Sequence, residues 1–218
     1  LTYRTSGVVD AMRIPKDGYF AHKVMWDGWV DNDKPATYIV GHWNYEEQDA
    51  TQTLGNKGAE KVVKPVYVVS SDESVELYIN GKKQAAPERK YHFLYIYKGI
   101  AFEPGVIEAR AKKSSYKIET AGKAAAIRLT KIENPSGFVA DGHDVAILQY
   151  EIVDAQGRRC PVDHRNLTFS VTGEGEYVGG IAAGGRNGYT RGIKDDHSEA
   201  DDYHCSDPAY HNWVGEKT

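Results

Sequence analysis

The chain has 218 residues, with 27 Lys and Arg against 31 Asp and Glu, a formal net charge of −4 and a pI near 6.1. The two signs are interspersed, so no basic stripe exists to release counterions from nucleic acid or to hold an anionic membrane, and both are excluded as partners. No apolar run approaches the ~20 residues that a membrane-spanning helix needs.

There are 22 Gly, 15 Tyr and only 2 Met, and long helical patterns are nearly absent, which points to an all-β chain. The length suits two ordinary domains. The start at Leu1, without an initiator Met or a signal-peptide pattern, reads as a processed protein or an excised fragment. Cys160 and Cys205 allow one disulfide or two free thiols.

Residues 1–30 differ from the rest. Pro15 suits the first turn of a helix, Asp17 puts a negative charge near its positive end, and residues 15–25 predict about three helical turns weakened at Gly18. One short helix with large aromatics cannot bury its apolar stripe alone. It either lies on the sandwich that follows or is the end of a domain upstream.

From Lys34 the pattern is β. Residues 37–44, TYIVGHWN, predict a strand, and the polar stretch 46–61 a loop. The centre of the chain is residues 64–82, KPVYVVSSDESVELYINGK. Val66, Val68 and Val69 form a β-branched run, the polar SSDES turns, and Val75, Leu77 and Ile79 alternate with Glu76, Tyr78 and Asn80. Asn80-Gly81 tolerates the positive φ of a tight hairpin turn, so the stretch reads as a sandwich meander. Residues 84–90 read as a polar connection, 93–97 as a strand, Glu103-Pro104-Gly105 as a type II turn, and 106–111 and 116–120 as a strand pair. About seven short strands in this span match an immunoglobulin-like sandwich.

Ala121-Gly122-Lys123 is the predicted boundary. Beyond it Ile127 and Leu129 alternate, residues 134–137 and 140–142 turn, 145–153 form the longest clean strand, 154–157 a hairpin loop, and 167–171 a further strand. The pattern then dissolves into Gly-rich and Asp/His-rich sequence, so the second module is expected to be incomplete. The predicted architecture is two immunoglobulin-like β-sandwich domains in tandem, at 31–121 and 122–218, preceded by a short helix in 1–30.

Laid out in this order, the stretches GVVDAMRIPKDGYFAHKVMWDGW (7–29), GHWN (41–44), VVSSDESVELYINGK (68–82), FEPGVIEA (102–109), TAGKAAAIRL (120–129) and ADGHDVAILQYEIVDAQGRRCP (140–161) resemble the C-terminal region of glycoside hydrolase family 2, in the form common among β-galactosidases of Bacteroidetes. The resemblance implies that residues 1–30 are the end of a catalytic (β/α)8 barrel and that the sandwiches follow it. It also implies a periplasmic or extracellular location and a retaining glycosidase as the parent. Such enzymes need an acid/base and a nucleophilic carboxylate about 5–5.5 Å apart. The family acid/base is the Glu of an Asn-Glu pair, and no Asn-Glu dipeptide occurs here. No catalytic residue is therefore assigned, and the piece is expected to hydrolyse nothing by itself.

The richest chemistry by residue type is 195–211, with Asp195, Asp196, His197, Glu199, Asp201, Asp202, His204, Cys205, Asp207 and His211. Zinc would accept His197, His204, Cys205 and His211, and calcium the carboxylates, but the spacing fits neither a zinc-finger pattern nor an EF-hand loop. The segment 186–213 reads as a solvated acidic loop, and no metal is assigned to it. In an intact enzyme it would reach the barrel mouth, making Asp202, His211 and Trp213 the substrate-proximal candidates. Trp43 reads as core, Trp26 and Trp29 as packing between barrel and sandwich, and Trp213 as the tryptophan to test for sugar contact. His42 reads as a structural histidine, the glycines of 179–192 as loop rather than a phosphate cradle, and Cys160 as an inert small hydrophobe. No cofactor is expected. The expected partners are the upstream barrel and, through the intact enzyme, carbohydrate; a homo-oligomer through the helix face at 15–25 stays open. A free-standing immunoglobulin-like carbohydrate-binding or adhesion module is the rival, and it leaves 7–29 without a purpose.

Overall fold

The computed structural model describes residues 8–9, 15–30, 34–45, 62–132, 135–163, 165 and 167–177. The chain is all-β apart from one short helix and divides into two compact units that part between Thr120 and Ala121.

The first unit opens with helix α1, Asp17–Met25, which passes into a π-helical turn at Trp26–Val30. Pro15, expected in the first turn, lies just before the helix; Lys16 is the N-cap, and its backbone N–H donates to Val8 O at 3.0 Å. Asp17 lies in the first turn and His22 and Lys23 near the end, the charge order that the helix dipole favours. Val24 is buried with Tyr38 and Val69, Phe20 stacks on Tyr38 at 5.0 Å, and the Tyr38 hydroxyl donates to Asp17 at 2.5 Å. The helix thus lies on the sandwich that follows.

That sandwich consists of two antiparallel four-stranded sheets. One has the order β1-β2-β6-β5, from β1 (Thr37–Ile39), β2 (Val63–Ser70), β5 (Glu88–Lys90) and β6 (Leu94–Ala101). The other has the order β4-β3-β7-β8, from β3 (Val75–Ile79), β4 (Lys82–Lys83), β7 (Val106–Ala111) and β8 (Ser115–Glu119). Val66, Val68, Tyr95 and Tyr97 from the first sheet meet Val75, Leu77, Ile79, Ile107 and Ala109 from the second in one core. Trp43 belongs to the same core, and its indole N–H donates to Glu103 O at 3.0 Å. The buried tyrosines keep their hydroxyls satisfied: Tyr97 donates to Val75 O at 2.7 Å and Tyr95 to Asp72 O at 2.6 Å. Burial pushes the Tyr97 phenol well above the ordinary tyrosine range.

Three expectations change here. Residues 70–74 are not a hairpin turn, because β2 and β3 lie in different sheets and the segment crosses between them. Buried Ser70 and Asp72 hold this corner: Asp72 N–H donates to Ser70 Oγ, and Ser114 Oγ donates to Asp72 Oδ2 at 2.8 Å. The polar connection at 84–90 contains the three-residue edge strand β5, Glu-Arg-Lys, none of whose residues is buried. The strand expected over 37–44 is three residues long. Asn80-Gly81 is a hairpin turn as expected, with φ of 49° and 80°. The Asn80 side chain also closes the neighbouring turn, donating to Pro104 O at 3.0 Å and accepting from Val106 N at 2.8 Å.

The second unit is built on the antiparallel hairpin of β9 (Ala124–Ile132) and β10 (Ile147–Asp154). Among the described residues this two-stranded sheet carries no second sheet against it. Ile127 and Leu129 are 50% and 59% exposed although they sit across from buried Ile152 and Tyr150. A hairpin alone cannot bury its own face. The strand expected over 167–171 pairs with no ladder among the described residues; Phe169 instead packs on Tyr150, with ring centroids 5.1 Å apart. Asp154 anchors the unit. Its carboxylate accepts from the N–H groups of Gly122, Gln156 and Arg158 and from the Arg158 guanidinium.

Candidate functional site

Asp202, His211 and Trp213, with His197, His204, Cys205 and the whole 186–213 loop, lie outside the described residues. Among the described residues no three of His, Cys, Asp and Glu cluster as metal ligands would. Cys160 is buried, with Sγ 3.6 Å from Gly122 O, and burial raises its thiol above the ordinary range. That is an unreactive setting. His42 accepts from Asn44 N–H at 3.2 Å through Nδ1 and lies against the Tyr45 ring, a local structural role.

A general acid in a glycosidase needs a carboxyl group held above its usual range. The carboxyl groups of Glu76, Glu88, Glu108, Asp141 and Asp154 are all displaced downward. The Lys83 ammonium does this to Glu76, the Lys98 ammonium to Glu88, the Arg110 guanidinium to Glu108, and backbone N–H groups to Asp141. For Asp154, desolvation pushes upward, but the donors from Gly122, Arg158 and Gln156 outweigh it and hold the group at about 2.

The surface that stands out is on α1 and its π-helical extension. Tyr19, His22, Lys23, Trp26, Trp29 and Val30 line an open depression of about 480 Å³. Its apolar members are unusually bare: Trp26 is 60% exposed, Val30 57% and Trp29 42%. They fall at helical spacings of three and four, so one face of the element carries them while Val24 faces the sandwich. The ledge is seated firmly. Trp29 Nε1 donates to Ser71 O at 3.2 Å, its ring meets Phe93 edge-on, and a Cβ at Gly28 would fall 2.1 Å from the Ser71 Cβ. Gly28 is therefore the residue that lets the π turn touch the Ser70–Ser71 corner. Lys23 pairs with Asp27 at 2.5 Å, an exposed pair that contributes little. Such a ledge offers packing area and aromatic faces, and no nucleophile–base pair. The sequence marked Trp26 and Trp29 for an interface; it did not mark Gly28, whose role depends on the distant Ser71.

Comparison with known proteins agrees with this architecture. Residues 129–188 match the model of the glycoside hydrolase family 2 C-terminal domain 5, and residues 61–118 match a domain of unknown function, DUF4982. A β-glucuronidase of Formosa agariphila is 40% identical over 192 residues, covering 84% of this chain and 18% of that protein. β-Galactosidase BoGH2A of Bacteroides ovatus is 32% identical over 183 residues, covering 82% of this chain and 19% of that protein. Among solved structures, a β-glucuronidase from glycoside hydrolase family 2 superposes with a TM-score of 0.58 at 39% identity, over 72% of this chain and 15% of that one. A β-glycosidase from Bacteroides vulgatus gives 0.59 at 25% identity, over 81% and 21%.

These matches define the class as an all-β region of the kind found in the C-terminal parts of glycoside hydrolases. More particularly, the chain belongs to glycoside hydrolase family 2, in its C-terminal region. It spans about a fifth of the length of the curated relatives it matches, 18% and 19%.

Proposed function

We propose that this chain is a non-catalytic accessory region of a retaining family 2 β-glycosidase, buttressing a catalytic barrel carried by the same polypeptide, in the periplasm or outside the cell. The observation that carries the proposal is the ledge of Tyr19, Trp26, Trp29 and Val30: a rigidly seated helix whose outward face is aromatic and bare. On this reading residues 1–30 are the last helical piece of that barrel, docked on the sandwich through Phe20 and Val24. The parent's substrate is a terminal β-galactoside. A β-glucuronide is the second reading, favoured by the higher identity of the relative bearing that name, 40% against 32%.

The direct test is to sequence the gene upstream of Leu1 and assay the intact product on chromogenic β-galactoside and β-glucuronide. The expected result is an open reading frame continuing upstream through barrel periodicity and an Asn-Glu pair, with turnover that the 218-residue chain lacks. A secretory leader directly before Leu1, or turnover by the chain itself that a substitution within it abolishes, overturns the proposal. In the intact enzyme Trp26→Ala is expected to destabilise the barrel contact by about 3–5 kcal/mol, the usual loss for a buried tryptophan.

A further inference from the structure

The hairpin that joins β5 to β6 has a conformation that its sequence makes costly. Lys90 pairs with Leu94 across the ladder, so Tyr91, His92 and Phe93 form the loop. An ordinary three-residue loop puts one residue in the left-handed region, where glycine sits without a steric penalty. Here two successive residues, Tyr91 and His92, occupy it, with φ of 52° and 64°. Histidine is tolerated there, but a bulky tyrosine is an outlier. Such a backbone persists only where the surroundings impose it. Arg89 imposes part of it: its Nε and Nη2 both donate to His92 O, at 2.9 and 2.7 Å. The rest comes through Phe93. Its carbonyl accepts from Ser70 N–H at 2.9 Å, and its ring packs against the cluster of Val24, Tyr38 and Val69.

The outcome of this strain is an outward tyrosine. Tyr91 is 72% exposed, more than Trp26, Trp29 or Val30 on the helix ledge. Its ring lies 6.2 Å from the Phe93 ring at an interplanar angle of 29°, and Phe93 lies 6.2 Å from Trp29. One aromatic surface therefore runs from the ledge across Phe93 to the hairpin tip, assembled from two segments far apart in the chain. The carbonyls of His92 and Phe93 are both taken up within the unit, so the tip presents its ring rather than those acceptors. Tyrosines set in this way, rigid and bare, are the residues that anchor protein interfaces.

We propose, resting on the reading that docks the ledge on a catalytic barrel of the same polypeptide, that Tyr91 is a second anchor for that barrel, its ring entering an apolar pocket there. Val8 is tied to the start of α1 through its carbonyl and Lys16 N–H at 3.0 Å, so polypeptide arriving ahead of it enters beside this surface. The region shared with this chain makes up 18% and 19% of the matched relatives, whose remainder has room for a barrel. A single contact leaves two bodies free to pivot. A second contact, on a separate element, fixes their orientation. Holding Tyr91 outward in advance also removes the ordering cost that a mobile loop would bring to the contact.

The test is hydroxyl-radical footprinting, read by peptide mass spectrometry, on the 218-residue chain and on the intact enzyme. Tyr91 and Trp26 are both expected to be labelled in the chain and to lose their labelling in the intact enzyme. Protection of Trp26 with Tyr91 still labelled overturns this proposal and leaves the ledge standing; labelling of both overturns both. Protection of Tyr91 that appears only on adding a glycan substrate makes it a sugar-stacking residue, and overturns the proposal as well. A second measurement separates an interface from internal packing. Tyr91→Asn removes the ring and suits the left-handed region, so the melting temperature of the chain is expected to hold or to rise by up to about 4 °C. The same substitution is expected to lower the temperature at which the intact enzyme loses activity, by about 2–4 °C. A lower melting temperature for the Tyr91→Asn chain, or an unchanged one for the intact enzyme, overturns the proposal.

Discussion

Gly28→Ala is the most informative single change in the helix seat. Replacing glycine by alanine in a helical segment ordinarily stabilises it by about 1 kcal/mol. Here the new methyl would lie 2.1 Å from Ser71 Cβ and 2.3 Å from Ser71 Oγ, against an ordinary carbon–carbon contact of about 3.5–4 Å. Ser71 Cβ is fixed to a backbone whose N–H bonds to Ala36 O at 3.1 Å, so the π turn must move instead. Overpacking of this kind costs about 1–3 kcal/mol. The displacement also breaks the bond from Trp29 Nε1 to Ser71 O, worth about 1 kcal/mol. Offset by the propensity gain, the net expectation is a loss of about 1–3 kcal/mol. The assay is urea unfolding followed by circular dichroism, with tryptophan fluorescence reporting Trp29. Ser71→Gly removes both clashing atoms, so the double variant is expected to be more stable than the sum of the single effects by about 1–2 kcal/mol. A Gly28→Ala protein as stable as the wild type, with unchanged fluorescence, refutes the close seating of the π turn on this corner.

Leu77→Ala, at a fully buried site in β3, is expected to cost about 2–5 kcal/mol, read as a lower urea midpoint with unchanged slope. Gly105→Ala places a methyl 2.0 Å from Asn80 Oδ1 at a φ of 133°, and is expected to cost about 1–3 kcal/mol. Because Asn80→Ala breaks the same clamp, the double variant is expected to lose less than the sum, measured by a double-mutant cycle. Asp154 sits at about 2 in the folded chain against 3.8 for a free aspartate, so its contribution is present above pH 3.8 and lost as the pH falls through about 2. NMR of the Gly122 and Gln156 amides is expected to move over that window, and Asp154→Asn to remove the movement.

Much of the first unit is legible locally. The alternation of Val75, Leu77 and Ile79, and the positive φ that Asn80-Gly81 accepts, are properties of adjacent residues, and they emerge as β3 and its turn. Trp43 reads as core and is core, at 2% exposure. The corner at 70–74 is different. Its polar sequence suits a hairpin or a crossing between sheets equally, and the choice is made by Tyr95 and Ser114, more than 20 and 40 positions away, bonding to Asp72. Edge strand β5 was hidden because its three residues, Glu88, Arg89 and Lys90, are all charged and none is buried, as suits a strand at a sheet edge. In the second unit Leu167, Phe169 and Val171 alternate as a strand would, yet a ladder needs a partner and none of the described residues supplies one.

The residues alone determined that this chain is all-β, that its helix carries an aromatic stripe needing cover, and that it resembles the C-terminal region of a glycoside hydrolase family. Those features follow from spacing and side-chain chemistry along short windows. Only tertiary structure decided that the helix lies on the first sandwich with its tryptophans outward. It alone gathered Lys64, Lys90 and Lys98 from three strands around Tyr67. Lysines that lie far apart along the chain come together beside Glu88 because antiparallel pairing sets distant residues side by side, and no window of sequence contains that arrangement.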